Sequence, residues 1–302
     1  MSAPLLYRVL SRLPLPAAHL VGGLIGLLLW LLPNKFSRLT RHHIARCFPE
    51  SSPGARARLV FASLIEAGKT LAEGPVLWSG PERRVARLVR ETRGWDAVEQ
   101  ALAAGRGVIT AAPHLGSWEM AGLEYSRRRP IVSLYKPQKG AWDALIKRGR
   151  ERFGARLVPS DRSGVRELYA SLRRGETAGI LPDQDPPPGS GAFAAFFGMP
   201  AHTPVLLSAL AERTGAKVFY MYAERLRFGR GFILHFVPAE DAVGAADQLL
   251  ALTALNRGVE ACVRRLPRQY WWGYARWRRR PVGEADFYAG VLKPDEPEMA
   301  PP

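Results

Sequence analysis

Apolar positions come in two arrangements along this chain, one unbroken run near the start and then a long alternation of short patterned segments. Ala17 to Pro33 reads AAHLVGGLIGLLLWLLP, about the length of a short membrane span or a re-entrant segment. Arg8 and Arg12 precede it, and Lys35, Arg38, Arg41 and Arg46 follow it. The run ends in Leu-Leu-Pro-Asn-Lys with no small-x-small site, which argues against a cleaved signal peptide. A membrane-anchoring helix is expected here, with a buried core helix of the same length as the alternative. Residues 35–49 set Phe36, Leu39, Ile44 and Phe48 among Arg and His, which suits a helix at headgroup level or an ordinary amphipathic surface helix. The excess of basic residues after the run predicts that the following domain faces the cytoplasm.

From residue 53 the spacing of apolar residues predicts a helix over 53–78, ending near Gly74-Pro75, and a second helix over 81–104, broken near Gly94. Gly107 to Ala112 (GVITAA) then reads as a buried parallel strand, followed at once by Pro113-His114 and a helix. Strands at 130–135, 156–159 and 177–181 alternate with helices at 140–153 and 163–174. After a Pro/Gly-rich loop, Thr203-Pro204 opens a helix to about Arg213. Strands at 217–223 and 232–237 flank a turn at Gly229–Gly231, and a last helix covers about 245–266. This alternation predicts an α/β fold with a mixed, mostly parallel sheet flanked by helices and one late antiparallel hairpin. The expected division is an anchor with an interfacial helix over 1–50, one α/β domain over 51–292, and a disordered tail over 293–302.

Composition narrows the partners more than the fold. Apolar residues make up 47 % and charged residues 23 % of 302, enough for a packed core and against global disorder. A net charge of +16 calls for an anionic partner, whether nucleic acid, anionic lipid or an acidic carrier protein. Two cysteines without metal spacing, Cys47 and Cys262, and scattered histidines point to neither a disulfide framework nor a metal site.

His114 stands between a predicted strand and a predicted helix, the place where open α/β sheets put reactive groups. Glu119 follows five residues on. A histidine that takes a proton from an attacking hydroxyl becomes imidazolium, and a nearby carboxylate can orient the ring and stabilise that charge. The spacing alone is weak, because His235 and Glu240 share it; His235, however, lies within a strand, and Pro238 separates it from the acid. No serine elbow, reactive cysteine, Walker loop or dinucleotide fingerprint is present. Asp183, Gln184 and Asp185 follow a predicted strand end and lead into Phe193, Phe196 and Phe197. They are either turn residues or groups that fix a headgroup or an arginine, with the phenylalanines lining an acyl channel. Arg148, Arg150, Arg152, Arg156, Arg162 and Arg166 form a basic stretch that is either a solvated face or an anion site. Tyr270, Trp271, Trp272, Tyr274 and Trp277 sit among arginines, which suits a membrane interface or the stacking of RNA bases.

Together, APHLGSWE (112–119), YKP (135–137), DRSGVRELYASLRRGE (161–176), LPDQDPPPGSGAFAAFFGMPAHTP (181–204) and PRQYWWGYARWRRRP (267–281) resemble the lipid A biosynthesis lauroyl/myristoyl (late) acyltransferase family, within the wider His-x4-Asp/Glu glycerolipid acyltransferase superfamily. The resemblance covers nearly the whole chain. It implies a catalytic pair of His114 and Glu119, with an acyl-carrier-protein thioester as donor and no further cofactor. It also implies an arginine matching Arg152, with Arg150 as the near alternative, and a functional Asp183; Gln184, Asp185 and Lys136 are the other candidate substrate-binding residues. The acceptor implied is a hydroxyl of a lipid A precursor, or of another glycolipid, glycerolipid or ornithine lipid. The implied setting is the bacterial inner membrane, with phospholipids as neighbours, the catalytic domain in the cytoplasm and no nucleic acid partner. A membrane-associated RNA- or lipid-binding module is the non-enzymatic alternative.

Overall fold

The computed structural model describes residues 5–137 and 142–292. The expected tail at 293–302 and the start of the helix expected from 140 lie outside those residues. Four helices open the chain: α1 (Leu5–Arg12), α2 (Leu15–Leu31), α3 (Lys35–Cys47) and α4 (Pro53–Ser79). A short α5 (Glu82–Ala86) precedes the alternating part: β1 (Val89–Arg93), α6 (Trp95–Ala103), β2 (Val108–Ala111), α7 (Trp118–Arg128), β3 (Ile131–Tyr135), α8 (Trp142–Glu151), β4 (Arg156–Pro159), α9 (Arg162–Arg173) and β5 (Thr177–Ile180). The hairpin β6 (Gly191–Phe196) and β7 (Met199–Pro204), α10 (Leu206–Thr214), β8 (Lys217–Arg225), β9 (Phe232–Pro238) and α11 (Gln248–Arg265) complete it.

Seven strands form one sheet in the order β1-β9-β8-β2-β5-β3-β4, parallel throughout except for the antiparallel β8–β9 pair. The mixed, mostly parallel sheet and its late hairpin therefore stand as expected. Every residue of β2 and β5 is buried, because helices cover both faces of these central strands. Along β8 the side chains alternate between two cores. Tyr220 and Tyr222 pack on the side of α3, α10 and α11, while Phe219 and Met221 pack on the side of α6, α7 and α8.

Three local expectations are corrected. Helix α4 runs through Pro75 to Ser79; the proline forfeits one backbone bond, and burial of residues 72–78 outweighs that loss. The segment 81–104 contains an edge strand, β1, whose polar sequence VRETR hides its pairing with β9; the break at Gly94, at φ +78°, is real and starts α6. The stretch 191–204 is a hairpin turned at Phe197-Gly198, both at positive φ, so Thr203 and Pro204 belong to β7 and the helix begins at Leu206.

The N-terminal run forms α2, a helix of 17 residues, bent by 80° against α3. Among the described residues no single helix is long and apolar enough to cross a membrane, although α2 and α3 together meet that length and composition. One side of α2 is laid along α4. A Cβ on Gly22 would come within 2.5 Å of Lys69 Cα, and one on Gly68 within 2.0 Å of the Gly22 carbonyl oxygen, so the backbones touch there. On the other side of α2, Leu20, Leu24, Leu28 and Leu31 are more than half exposed, and Trp30 meets Phe61 edge to face. α3 is amphipathic, as expected: Phe36, Leu39, Ile44 and Cys47 enter the core, while Arg41, Ala45 and Arg46 are exposed.

Candidate active site

Strand register builds the site. Ala111 at the end of β2 pairs with Ile180 at the end of β5, and three residues beyond each stand His114 and Asp183. Both chains leave the sheet through a proline, Pro113 and Pro182, so the two side chains emerge next to each other at the C-terminal edge. Asp183 Oδ1 lies 2.8 Å from His114 Nδ1, and Oδ2 accepts the His114 backbone N–H at 2.8 Å. An ionised carboxylate only accepts, so Nδ1 carries the ring proton and Nε2 presents a lone pair. That lone pair meets the Gln184 side-chain amide at 3.1 Å. Burial alone would raise the Asp183 carboxyl, but the His114 ring, its two hydrogen bonds and the Arg276 charge hold it below its usual range.

Glu119, in the first turn of α7, belongs to a second group. Its carboxylate takes a two-pronged ion pair from Arg150 on α8, with Nε at 3.1 and 3.0 Å from the two oxygens and Nη2 closer still. The Trp78 indole N–H donates to Glu119 Oε2 at 2.8 Å. Burial disfavours the Arg150 charge, yet Glu119 raises its pKa above the ordinary value. The carboxylate that orients the His114 ring is therefore Asp183, and Glu119 holds Arg150. The five-residue spacing places Glu119 one helix start away from the ring, while the parallel strand pairing delivers Asp183 directly onto it.

The two arginine candidates separate at the end of α8, Arg150 in its last turn and Arg152 in the turn beyond it. Arg150 points to Glu119, whereas Arg152 donates to the Leu77 and Gly80 carbonyls at 2.8 and 2.5 Å, where it caps the end of α4. Arg152, the closer motif match, is placed at the end of α4 and away from Glu119. Lys136 is exposed just past the end of β3. Asp185 is engaged by His202 at 2.8 Å and Arg279 at 2.7 Å, and its N–H donates to the Tyr274 hydroxyl at 3.0 Å, which ties the hairpin to the C-terminal run.

The turn from His114 to Ser117 spends its amides inside the protein. Gly116 N–H donates to the Gln269 carbonyl at 3.0 Å, Ser117 N–H to the Ala223 carbonyl at 2.8 Å, and Leu115 N–H to the Pro113 carbonyl at 2.6 Å. Gly116 has φ +62°, and a Cβ there would stand 2.1 Å from the Ala223 oxygen, so only glycine fits. Backbone amides near Gly116 are therefore not the free donors that an oxyanion would need.

Two cavities adjoin the site. A small one touches His114, Asp183, Gln184, Tyr270, Arg276 and His43. Burial pushes the Tyr270 hydroxyl well above its usual range, with the Asp183 charge adding to it, so this phenol stays protonated. Arg276 is buried with Nη1 on the His202 carbonyl at 2.5 Å and Nη2 on Thr203 Oγ1 at 2.9 Å, and burial lowers its pKa. The second cavity, about 110 Å³, runs beneath Glu119 and Arg150 between Trp118, Gly122, Leu134 and Leu181. Phe193, Phe196 and Phe197 do not line it: Phe196 stacks on Trp277, Phe197 meets Phe48 and Trp272, and Phe193 meets His202. Sequence alone does not point to Trp78 or Arg276. Trp78 closes a long helix with no local signal, and Arg276 lies in the aromatic–arginine run, where the pattern could not single it out.

Known proteins add the chemistry. The lipid A biosynthesis lauroyltransferase of Escherichia coli K12 is 27 % identical over 279 residues, covering 92 % of this chain and 90 % of that protein. The palmitoleoyltransferase of the same organism is 26 % identical over 279 residues, with the same coverage of 92 % and 90 %. A phosphatidylinositol mannoside acyltransferase of Mycobacterium tuberculosis CDC 1551 / Oshkosh is 30 % identical over 225 residues, 70 % of this chain and 69 % of that protein. Residues 5–279 match the family described as bacterial lipid A biosynthesis acyltransferase, and the chain belongs to that family.

Proposed function

We propose that this chain moves a fatty acyl group from an acyl-carrier-protein thioester to a hydroxyl of a lipid A precursor, with His114 as the general base. The observation that carries this reading is the 2.8 Å contact between Asp183 Oδ1 and His114 Nδ1, which directs the ring proton to Nδ1 and leaves Nε2 to act as base. The acceptor hydroxyl takes the place now filled by the Gln184 amide on Nε2. Nε2 removes the hydroxyl proton as its oxygen attacks the thioester carbonyl. The tetrahedral intermediate collapses with cleavage of the C–S bond, and the imidazolium returns its proton to the leaving thiolate. No protein nucleophile holds the acyl group, so donor and acceptor bind together.

With the turn amides occupied, the displaced Gln184 amide and the Arg150 guanidinium, fixed by Glu119, supply donors for the oxyanion. The cavity under Glu119 and Arg150 takes the acyl chain. The charge of +16 suits an acidic carrier protein and anionic lipid. The leucine face of α2, with Trp30 and Phe61, rests on the inner membrane with the catalytic part in the cytoplasm. The mycobacterial relative supports a second acceptor, an inositol-mannoside glycolipid.

The test is a transfer assay with acylated carrier protein against a panel of acceptors: lipid A precursor, phosphatidylinositol mannoside, lysophospholipid and ornithine lipid. Transfer to the lipid A precursor that is lost in His114→Ala is expected. Near-normal turnover by that variant ends the reading of His114, and transfer only to another acceptor replaces the substrate.

A further inference from the structure

Arg225 ends β8, and its side chain is 1 % exposed. Its guanidinium forks onto Glu73, with Nε to Oε2 and Nη2 to Oε1 both at 2.7 Å, and reaches Glu66 at 3.2 Å and Thr70 Oγ1 at 2.9 Å. Glu66, Thr70 and Glu73 share one face of α4. Lys69 pairs with Glu66 at 2.6 Å, so two carboxylates meet two cations. Glu73 also receives His19 of α2 at 2.9 Å. Burial would raise the Glu73 carboxyl, but Arg225 and His19 bring it down to about 2.

A buried ion pair gives little net stability, since desolvation offsets the attraction. What distinguishes this one is the fifth acceptor: Nη2 also donates to the Gly116 carbonyl at 2.9 Å. Gly116 lies between His114 and Glu119. The N–H of the same residue goes to the Gln269 carbonyl, and the Gln269 side chain closes a ring on the Arg225 backbone, accepting from its N–H at 2.8 Å and donating to its carbonyl at 2.9 Å. Gly116 is thereby held on both its donor and its acceptor by the Arg225–Gln269 unit.

We infer that Arg225 is a positioning residue for acyl transfer: through the Gly116 carbonyl it sets the turn that carries His114 and Glu119, and through Glu73 and His19 it ties that turn to α2. The inference rests on the proposed role of His114. A shift of the base by about 1 Å lowers turnover on the order of 10²-fold without changing ground-state binding as much.

The decisive variant removes both charges together, Arg225→Met with Glu73→Leu, because an apolar replacement of a buried pair commonly leaves folding intact. The melting temperature is expected to stay near that of the parent, kcat to fall on the order of 10²-fold, and KM to change by about threefold or less. Adding the pair to His114→Ala should lower the residual rate no further, since a positioning residue acts only through the group it positions. Arg225→Lys serves as the second variant, keeping the charge but losing the fork, and it should show the same split. A folded variant with kcat within about twofold of the parent overturns the inference. Additive losses on top of His114→Ala, or failure of both variants to fold, also overturn it by making Arg225 a scaffold residue. Should His114→Ala itself turn over normally, the base assignment fails, and that outcome is separately visible.

Discussion

Asp183 holds His114 at two points, ring nitrogen and backbone nitrogen, each at 2.8 Å. One carboxylate thus fixes both the tautomer of the ring and the position of its Cα. The pairing joins the segments that leave the ends of two adjacent parallel strands. Glu119, which sequence spacing offers as the partner, starts a helix and is turned to Arg150 instead.

Asp183→Asn should reveal the division of labour. An amide oxygen can still accept the backbone N–H of His114, so the turn keeps its place. The ring loses its anionic partner, and the tautomer with a free Nε2 lone pair is no longer enforced. Turnover is expected to fall on the order of 10⁴-fold with KM little changed, by analogy with the loss of an orienting carboxylate in a serine-type triad. Steady-state kinetics of the folded variant checks this. A variant that keeps kcat would leave Asp183 with a structural role only.

Arg150→Met should behave differently, because it strands Glu119 in a buried position with the Trp78 indole as its remaining partner among the described residues. Breaking one side of such a pair costs about 3 kcal/mol, visible as a lowered melting temperature. Adding Glu119→Leu should restore most of that stability while leaving acyl transfer weak. Recovery of both stability and activity in the double variant would remove Arg150 and Glu119 from the chemistry.

How much of this was legible beforehand follows from range along the chain. β2, β5, β8, β9 and α11 announced themselves by local pattern, and His114 by its place after β2. Asp183 was visible as a residue but not as the partner of His114, because their contact needs the β2–β5 register, a relation over 69 residues. Arg150 and Arg152 could not be ranked from sequence, since the choice depends on where α8 ends and on how that end meets α4. The edge strand β1 was missed because its exposed polar residues carry no hydrophobic alternation. Trp78 and Arg225 carry no local signal at all; their roles come from tertiary packing around α4.

Acyl-chain length should respond to Gly122. This glycine of α7 borders the cavity beneath Glu119, and a Cβ built there meets nothing within 4 Å. A larger side chain therefore enters open space rather than protein, and a helix interior favours alanine over glycine by about 1 kcal/mol. Gly122→Ala should be stable and nearly neutral. Gly122→Leu should fold, yet shorten the preferred donor by narrowing the cavity. A donor series of increasing chain length measured for both variants checks this, and an unchanged preference in Gly122→Leu would place the acyl chain elsewhere.

Acid sensitivity should begin at His43. This α3 residue borders the small cavity beside His114, and its tautomer is set by its neighbours. The Trp272 carbonyl, 2.6 Å from Nδ1, can only accept, so Nδ1 donates; Nε2 then accepts from the Tyr288 hydroxyl at 2.7 Å. Burial, opposed by the Trp272 bond and aided by His42, brings its pKa from 6.5 down to about 3. The unfolded chain therefore binds the proton first. The stability that neutral His43 contributes is whole above pH 6.5 and falls by about 1.4 kcal/mol per unit as the pH drops toward the folded value. His42 and His235 are lowered too and slope the same way, so removing His43 should flatten the curve without levelling it. His43→Gln can keep a donor to the Trp272 carbonyl without the titration. Melting temperatures from pH 7 to pH 4 should fall clearly less steeply for this variant than for the parent, and parallel curves would show that His43 is already charged in the fold.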